Sequence, residues 1–102
     1  MIENAKILED AGAFAVVLEL VPADLAAEVT TALTIPTIGI GAGPHCDGQV
    51  LVLHDMLGFS EDFSPKFLKK YAGLERVARE ALQLYDNEVK SSVFPDAQHS
   101  FS

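Results

Sequence analysis

IPTIGIGAGPHCDGQVLVLHDMLG, spanning Ile35 to Gly58, holds two short apolar runs separated by a glycine-rich turn. Thr37–Ile40 and Gln49–His54 are each bounded by Gly, Pro or Asp, the pattern of strands covered on both faces in a parallel sheet. The turn between them carries Gly39, Gly41, Gly43 and Gly48, four of the seven glycines in the chain. Glycines gathered at a strand end imply positive φ or close backbone approach, which makes this turn a candidate ligand site.

Working upstream, Pro36 is preceded by a helical pattern. Leu25, Val29, Ala32 and Leu33 recur at helical spacing, Pro22 opens the segment at its first turn, and Asp24 suits the positive end of the helix dipole. Before it, Ala13–Val21 (AFAVVLELV) is an apolar run broken only by Glu19 and reads as a buried strand. Residues 2–11 read as a helix with Ile7 and Ala11 on one face, Ala5 and Leu8 beside it, and Gly12 as its stop. No capping residue precedes that helix, so the sequence is expected to begin part-way through a domain.

Downstream of His54 comes a loop containing Phe59 and Phe63, which core or interface roles suit better than ligand stacking. Ser64 as N-cap and Pro65 at the first helical position predict a short helix to about Ala72, with Gly73 as a break. A longer helix is predicted from Leu74 to about Lys90, with an apolar stripe of Leu74, Val77, Ala78, Leu82, Tyr85 and Val89 among others. Val93, Phe94 and Phe101 are the candidate anchors of the tail. A strand–helix–strand order with short links means parallel pairing. The link Gly41–Gly48 shows no helix, although a parallel crossover normally takes about a dozen residues; a hidden helical turn and an unusually direct adjacency both remain open.

A chain of 102 residues makes one small domain, and 49% hydrophobic with 22% charged residues is globular composition. The formal charge of −8 argues against a nucleic-acid partner. The absence of an 18-residue apolar run argues against a membrane span. MIENAKILEDAGA has no signal-peptide character, and the lone Cys46 excludes an intrachain disulfide, so the default location is cytoplasmic. Three parallel strands with helices on one side leave exposed edges and an open face. At roughly 30 residues per strand–helix unit of an eight-unit barrel, the chain holds about three units. The expected fold is therefore α/β: residues 1–102 as the C-terminal portion of a (β/α)8 TIM barrel with no second domain, a small doubly wound sheet being the alternative.

Glu19 is the leading candidate for chemistry. It is the only charge in its strand and sits at the C-terminal end, which faces the active site in parallel α/β folds. Lost solvation there would raise its pKa and suit it to act as a general base; pairing with Lys or Arg, or pointing to solvent, is the competing reading. The turn GIGAGPHCDG fits neither the dinucleotide fingerprint nor the P-loop, and no helix follows it at once. Tight-turn geometry is the favoured reading of it, an anion site the competing one. His45, Cys46, Asp47, His54 and Asp55 are metal-capable, but their spacing matches no zinc signature. His54 and Asp55 could line a pocket at a strand end, or His54 could bond to backbone, and nothing beside Cys46 in sequence points to a reactive thiol.

The blocks EDAGAFAVVLELVP, IPTIGIGAG, CDGQVLVLHDMLG, PKFLKKYA and FPDAQHSF together resemble the C-terminal part of the ketopantoate hydroxymethyltransferase family, also called 3-methyl-2-oxobutanoate hydroxymethyltransferases. The resemblance covers nearly the whole chain and implies a (β/α)8 barrel. It implies transfer of a hydroxymethyl group from 5,10-methylenetetrahydrofolate to 3-methyl-2-oxobutanoate, giving 2-dehydropantoate on the route to pantothenate and coenzyme A. It also implies a Mg²⁺ that chelates the small-molecule 2-oxo acid, ring-like homo-oligomers with an exchanged C-terminal helix, and Glu19 as proton acceptor. The family's metal carboxylates belong to its N-terminal half, so no metal ligand carries over to this chain. The expectation is that the chain is inactive alone or works with a complementing N-terminal half; an anion-binding or assembly module derived from the same barrel is the alternative.

Overall fold

The computed structural model describes residues 1–102. In chain order the elements are α1 (Ile2–Asp10), β1 (Val16–Glu19), α2 (Ala23–Ala32), β2 (Thr37–Ile40), β3 (Gly48–Gln49), α3 (Leu53–Met56) and α4 (Leu74–Lys90), followed by a 3₁₀ turn at Ala97–His99. They fall into two compact units: Met1–Val52 with Pro65–Lys69, and Leu53–Ser64 with Lys70–Ser102.

The first unit is α/β. Its sheet has the order β1-β2-β3 and is parallel throughout, with Val16 opposite Thr37, Glu19 opposite Ile40, and Ile38 opposite Gly48. Alternation sends Val16 and Leu18 to one face, where they join Ala5 of α1 and Ala26 and Val29 of α2 in the core. The other face stays open: Val17 is 60% exposed and Glu19 beyond it is exposed, with half-buried Ile38 and Ile40 beside them. Three of the eight buried apolar residues are alanines and none is aromatic. Most of the burial energy, about 1.5–3 kcal/mol per large side chain, therefore comes from Val16, Leu18, Val21, Val29 and Leu33.

α1 stops where the sequence places its stop. Gly12 takes φ +102°, its N–H donates to the Glu9 carbonyl at 3.0 Å, and the Ala13 N–H donates to the Leu8 carbonyl at 3.1 Å. This is the glycine-closed ending that satisfies the last carbonyls of a helix. The expected face of α1 is not the buried one, because Ala5 is inside while Ile7 and Leu8 are exposed. Pro22 sits at the N-cap of α2, one position before its expected place.

β2 coincides with its expected span, but the expected strand Gln49–His54 does not form. β3 is only Gly48–Gln49, the last ladder bond runs from the Val50 N–H to the Gly39 carbonyl at 2.9 Å, and His54 lies in α3 instead of at a strand end. β2 ends at Ile40, so residues 51–54 have no backbone to pair with. The helixless link resolves in favour of direct adjacency. β3 starts opposite Ile38, so residues 41–47 descend only a few residues' rise of about 3.3 Å each instead of a whole strand.

In the second unit the orphan N–H groups of α4 are satisfied by a loop: Leu74 and Glu75 donate to the carbonyls of Leu57 and Gly58, both at 3.0 Å. Three exposed i,i+4 pairs lie along the helix, Arg79–Glu75, Arg76–Glu80 and Lys90–Asp86, each worth tenths of a kcal/mol. The span of α4 matches expectation, but no residue of it is buried, and Leu82 is 69% exposed. Of the three tail anchors only Phe94 packs, 5.8 Å from the Tyr85 ring and 5.5 Å from the His99 ring; Val93 and Phe101 are exposed. The expected helix Pro65–Ala72 is absent. A single turn from the Leu68 N–H to the Pro65 carbonyl replaces it, and the Tyr71 N–H donates to Met56 instead of to a preceding helical turn.

Glu9 ties α1 to the segment that enters β2. Its Oε1 accepts from the Thr34 N–H and hydroxyl, both at 2.6 Å, and from the Ile35 N–H at 3.1 Å. The Thr34 hydroxyl and N–H hold the Glu9 carboxyl below its ordinary value of 4.5. A carboxyl lowered in the folded state stabilises the fold above its unfolded pKa, and that contribution is lost as pH falls through the folded value. Glu9→Gln should therefore lower the melting temperature at pH 7, with the gap to wild type closing as pH drops below 4.5; a pH-independent gap in thermal denaturation would contradict this.

Candidate functional site

Parallel strands point their C-terminal ends the same way, so β1 and β2 deliver Glu19 and the glycine turn to one end of the sheet. Glu19 is the last residue of β1 and its carboxylate makes no hydrogen bond or ion pair. It borders a concavity of about 330 Å³ that also includes Asn4, Leu8, Val17 and Val21. The burial expected of Glu19 is not found: the side chain is exposed, because the sheet face it shares with Val17 has nothing over it. The competing ion pair is not found either.

Directly after Glu19, Leu20 adopts φ +54°, the left-handed region that a non-glycine residue occupies only under constraint. Its N–H donates to the Ile40 carbonyl at 2.9 Å, extending the ladder while the chain turns toward α2. Across from it, Gly41 (φ +65°) and Gly43 (φ +79°) let the backbone come close. A Cβ at Gly41 would lie 2.8 Å from Leu20 Cδ2 and 3.1 Å from Phe67 Cγ, and one at Gly43 would lie 2.5 Å from the Ala23 Cβ. The glycines are thus required by neighbouring protein groups.

Residues 65–69 return to this end of the sheet. A cavity of about 510 Å³ is bounded by Leu20, Pro22, Gly41, Gly43, Lys66 and Phe67. A second of about 490 Å³, bordered by Pro44 and Gln49, shares Gly41, Gly43 and Phe67 with the first. Sequence reasoning placed Lys66 and Phe67 on a helix and missed them here; their signal was a Pro-Lys-Phe block with no apolar periodicity after it.

The metal-capable residues do not converge. No group of three His, Cys, Asp or Glu side chains is placed to hold a metal ion. Asp47 is engaged structurally: its Oδ2 accepts from the Thr37 N–H at 2.9 Å and lies 3.3 Å from the Thr37 hydroxyl, which in turn is 2.8 Å from the Thr30 hydroxyl. Cys46 packs so closely that a Cβ on Gly39 would lie 3.0 Å from its Sγ. His45 is exposed, the His54 ring lies 5.5 Å from the Phe59 ring, and the Asp55 carbonyl accepts from the Gly58 N–H at 3.1 Å. No helix is long and apolar enough to cross a membrane.

Residues 1–97 match the Ketopantoate hydroxymethyltransferase family. Among similar curated proteins, one from Chlorobaculum tepidum is 57% identical over 99% of this chain and 36% of its own length. One from Trichlorobacter lovleyi is 59% identical over 100% of this chain and 38% of its own. One from Syntrophus aciditrophicus is 61% identical over 99% of this chain and 37% of its own. Each is named 3-methyl-2-oxobutanoate hydroxymethyltransferase. The chain thus spans less than two fifths of the length of the relatives it matches.

The packing at Gly43 gives a stability test. Gly43→Ala combines a left-handed backbone with a clash against Ala23 and should cost about 2 kcal/mol or more in denaturant unfolding. Gly48→Ala, whose new Cβ would find nothing nearer than Ile38 Cγ1 at 3.9 Å, should be close to neutral. Equal effects would overturn the packing account.

Proposed function

This chain belongs to the ketopantoate hydroxymethyltransferase family, and from that premise we propose that it supplies the proton-accepting wall of a 3-methyl-2-oxobutanoate hydroxymethyltransferase. The single observation that carries the reading is Glu19: an unpaired carboxylate at the C-terminal end of a parallel strand, on the open face of the sheet. The C3 proton of 3-methyl-2-oxobutanoate is acidified by its neighbouring ketone. Glu19 takes that proton, and the electron pair left behind delocalises onto the ketone oxygen as an enolate. Carbon C3 of the enolate then bonds to the one-carbon unit, the two C–N bonds to that carbon break in turn, water supplies the hydroxyl of 2-dehydropantoate, and the two nitrogens released take up the C3 proton and one proton of the water. When bound, 5,10-methylenetetrahydrofolate supplies that one-carbon unit. The residues present do not fit a Mg²⁺ site.

The parallel sheet with helices on one face, its open second face and the coverage of 36–38% of the relatives all support reading the chain as the C-terminal portion of a (β/α)8 barrel. In that setting the remaining barrel covers Val17 and Glu19 and removes bulk water from around the carboxylate. The setting proposed for the whole enzyme is the cytoplasm. A second reading, assembly into homo-oligomers, is favoured by α4, whose apolar stripe is unburied along its length.

The isolated chain should show no turnover, and an N-terminal half from a relative should restore it. In the restored enzyme Glu19→Gln should lower kcat at least 100-fold, the low end of what a positioned general base contributes. Turnover by the isolated chain would overturn the incomplete-barrel reading, and an unchanged kcat in the variant would overturn the role of Glu19.

A further inference from the structure

Lys66 differs from most of the other basic residues of this acidic chain. Lys70 donates to the Ser60 and Glu61 carbonyls, while Arg76, Arg79 and Lys90 are each paired with a carboxylate one helical turn away. Lys66 makes no hydrogen bond or ion pair, and it is the only charged residue on the wall of its cavity. In a chain of net charge −8, an unpaired cation beside an apolar cavity free of carboxylates is placed to take an anion from solution.

The shape narrows the ligand. The cavity of about 510 Å³ exceeds what a five-carbon oxo acid fills and lies within the range of sites for larger ligands. It shares Phe67 and the ledge Gly41–Gly43 with the second cavity, so the two form a trough with Lys66 toward one end and Gln49 toward the other. Phe67 is partly exposed at 36% and offers ring surface, while the glycines carry no Cβ to keep a flat group off the backbone.

We propose that this trough binds an elongated aromatic carboxylate, with Lys66 on the carboxylate and Phe67 against the ring. Taking the folate co-substrate from the function proposed above, on which this identification rests, the group seated here is its p-aminobenzoylglutamate arm. Lys66 and Phe67 are then co-substrate-binding residues, separate from the proton chemistry at Glu19.

The test is an NMR titration of the ¹⁵N-labelled 102-residue chain with p-aminobenzoyl-L-glutamate, and in parallel with uncharged p-aminobenzamide. The acid should shift the amides of Gly41, Gly43 and Phe67. Lys66→Met should weaken it about tenfold or more, the scale of a lost charge-assisted hydrogen bond, and Lys66→Arg should restore most of the affinity. The uncharged probe should bind wild type and Lys66→Met alike, Phe67→Ala should weaken both probes, and added salt should weaken only the acid. Equal affinity of the acid for wild type and Lys66→Met, shifts confined to other residues, or no binding by a chain with a dispersed spectrum would each overturn the proposal. Glu19→Gln should bind the acid as wild type does. Failure of the Glu19 assignment in turnover and failure of the Lys66 assignment in binding are therefore separate results.

Discussion

Thr37 is fully buried and polar, and the first unit is built around satisfying it. Its N–H donates to Asp47, its hydroxyl lies within bonding distance of Asp47 and of Thr30, and the Thr30 hydroxyl also donates to the Ala26 carbonyl at 2.7 Å. One side chain thus ties α2, β2 and the residue before β3 together. A buried hydroxyl left without partners costs about 1–3 kcal/mol, comparable to any single apolar side chain in this small core. The cluster also explains how a third parallel strand follows the second without a helix. Asp47 pins the returning chain at the start of β2, and pairing resumes one residue later.

That anchoring at the start of β2 carries through to the opposite end of the sheet. With β3 fixed beside β2, the Gln49 amide donates to the Gly43 carbonyl at 2.9 Å. Gly43 in turn abuts Ala23 at the head of α2, and Gly41 abuts Leu20, the residue after Glu19. The candidate base and the candidate ligand trough therefore stand on one framework, which runs from a buried threonine through a short link to two left-handed glycines. The site is organised by backbone contacts more than by side-chain bonds, and this suits a surface that must leave Glu19 and Lys66 unengaged.

Much of this was legible in the sequence where local signals and tertiary packing agree. β2 and α4 were readable from a bounded apolar run and a long helical period, and Gly12 from its stop position. The candidate base stood out as one charge in an apolar strand. Legibility failed where long-range partners decide. Gln49–His54 has the composition of a strand, but strand length is set by the neighbour, and β2 ends too soon. Ser64-Pro65 has the chemistry of a helix start, but Phe67 is held at Gly41 and the Tyr71 N–H is taken by Met56. The burial of Glu19 was inferred from its apolar flanks, whereas exposure depends on what lies over the sheet. The Thr30–Thr37–Asp47 cluster was unreadable because its members lie on a helix, a strand and the link before β3, with no periodic relation.

The contact between Leu20 and Gly41 has an evolutionary reading. One residue occupies a conformation that disfavours branching at Cβ, and its terminal methyl takes up the room that any side chain at the other would need. The two positions draw on a single allotment of volume, so a larger residue at one demands a smaller residue at the other. Drift at the residue following Glu19 is thereby gated by a site on the neighbouring strand's turn, and variants of this chain should change there in pairs or not at all.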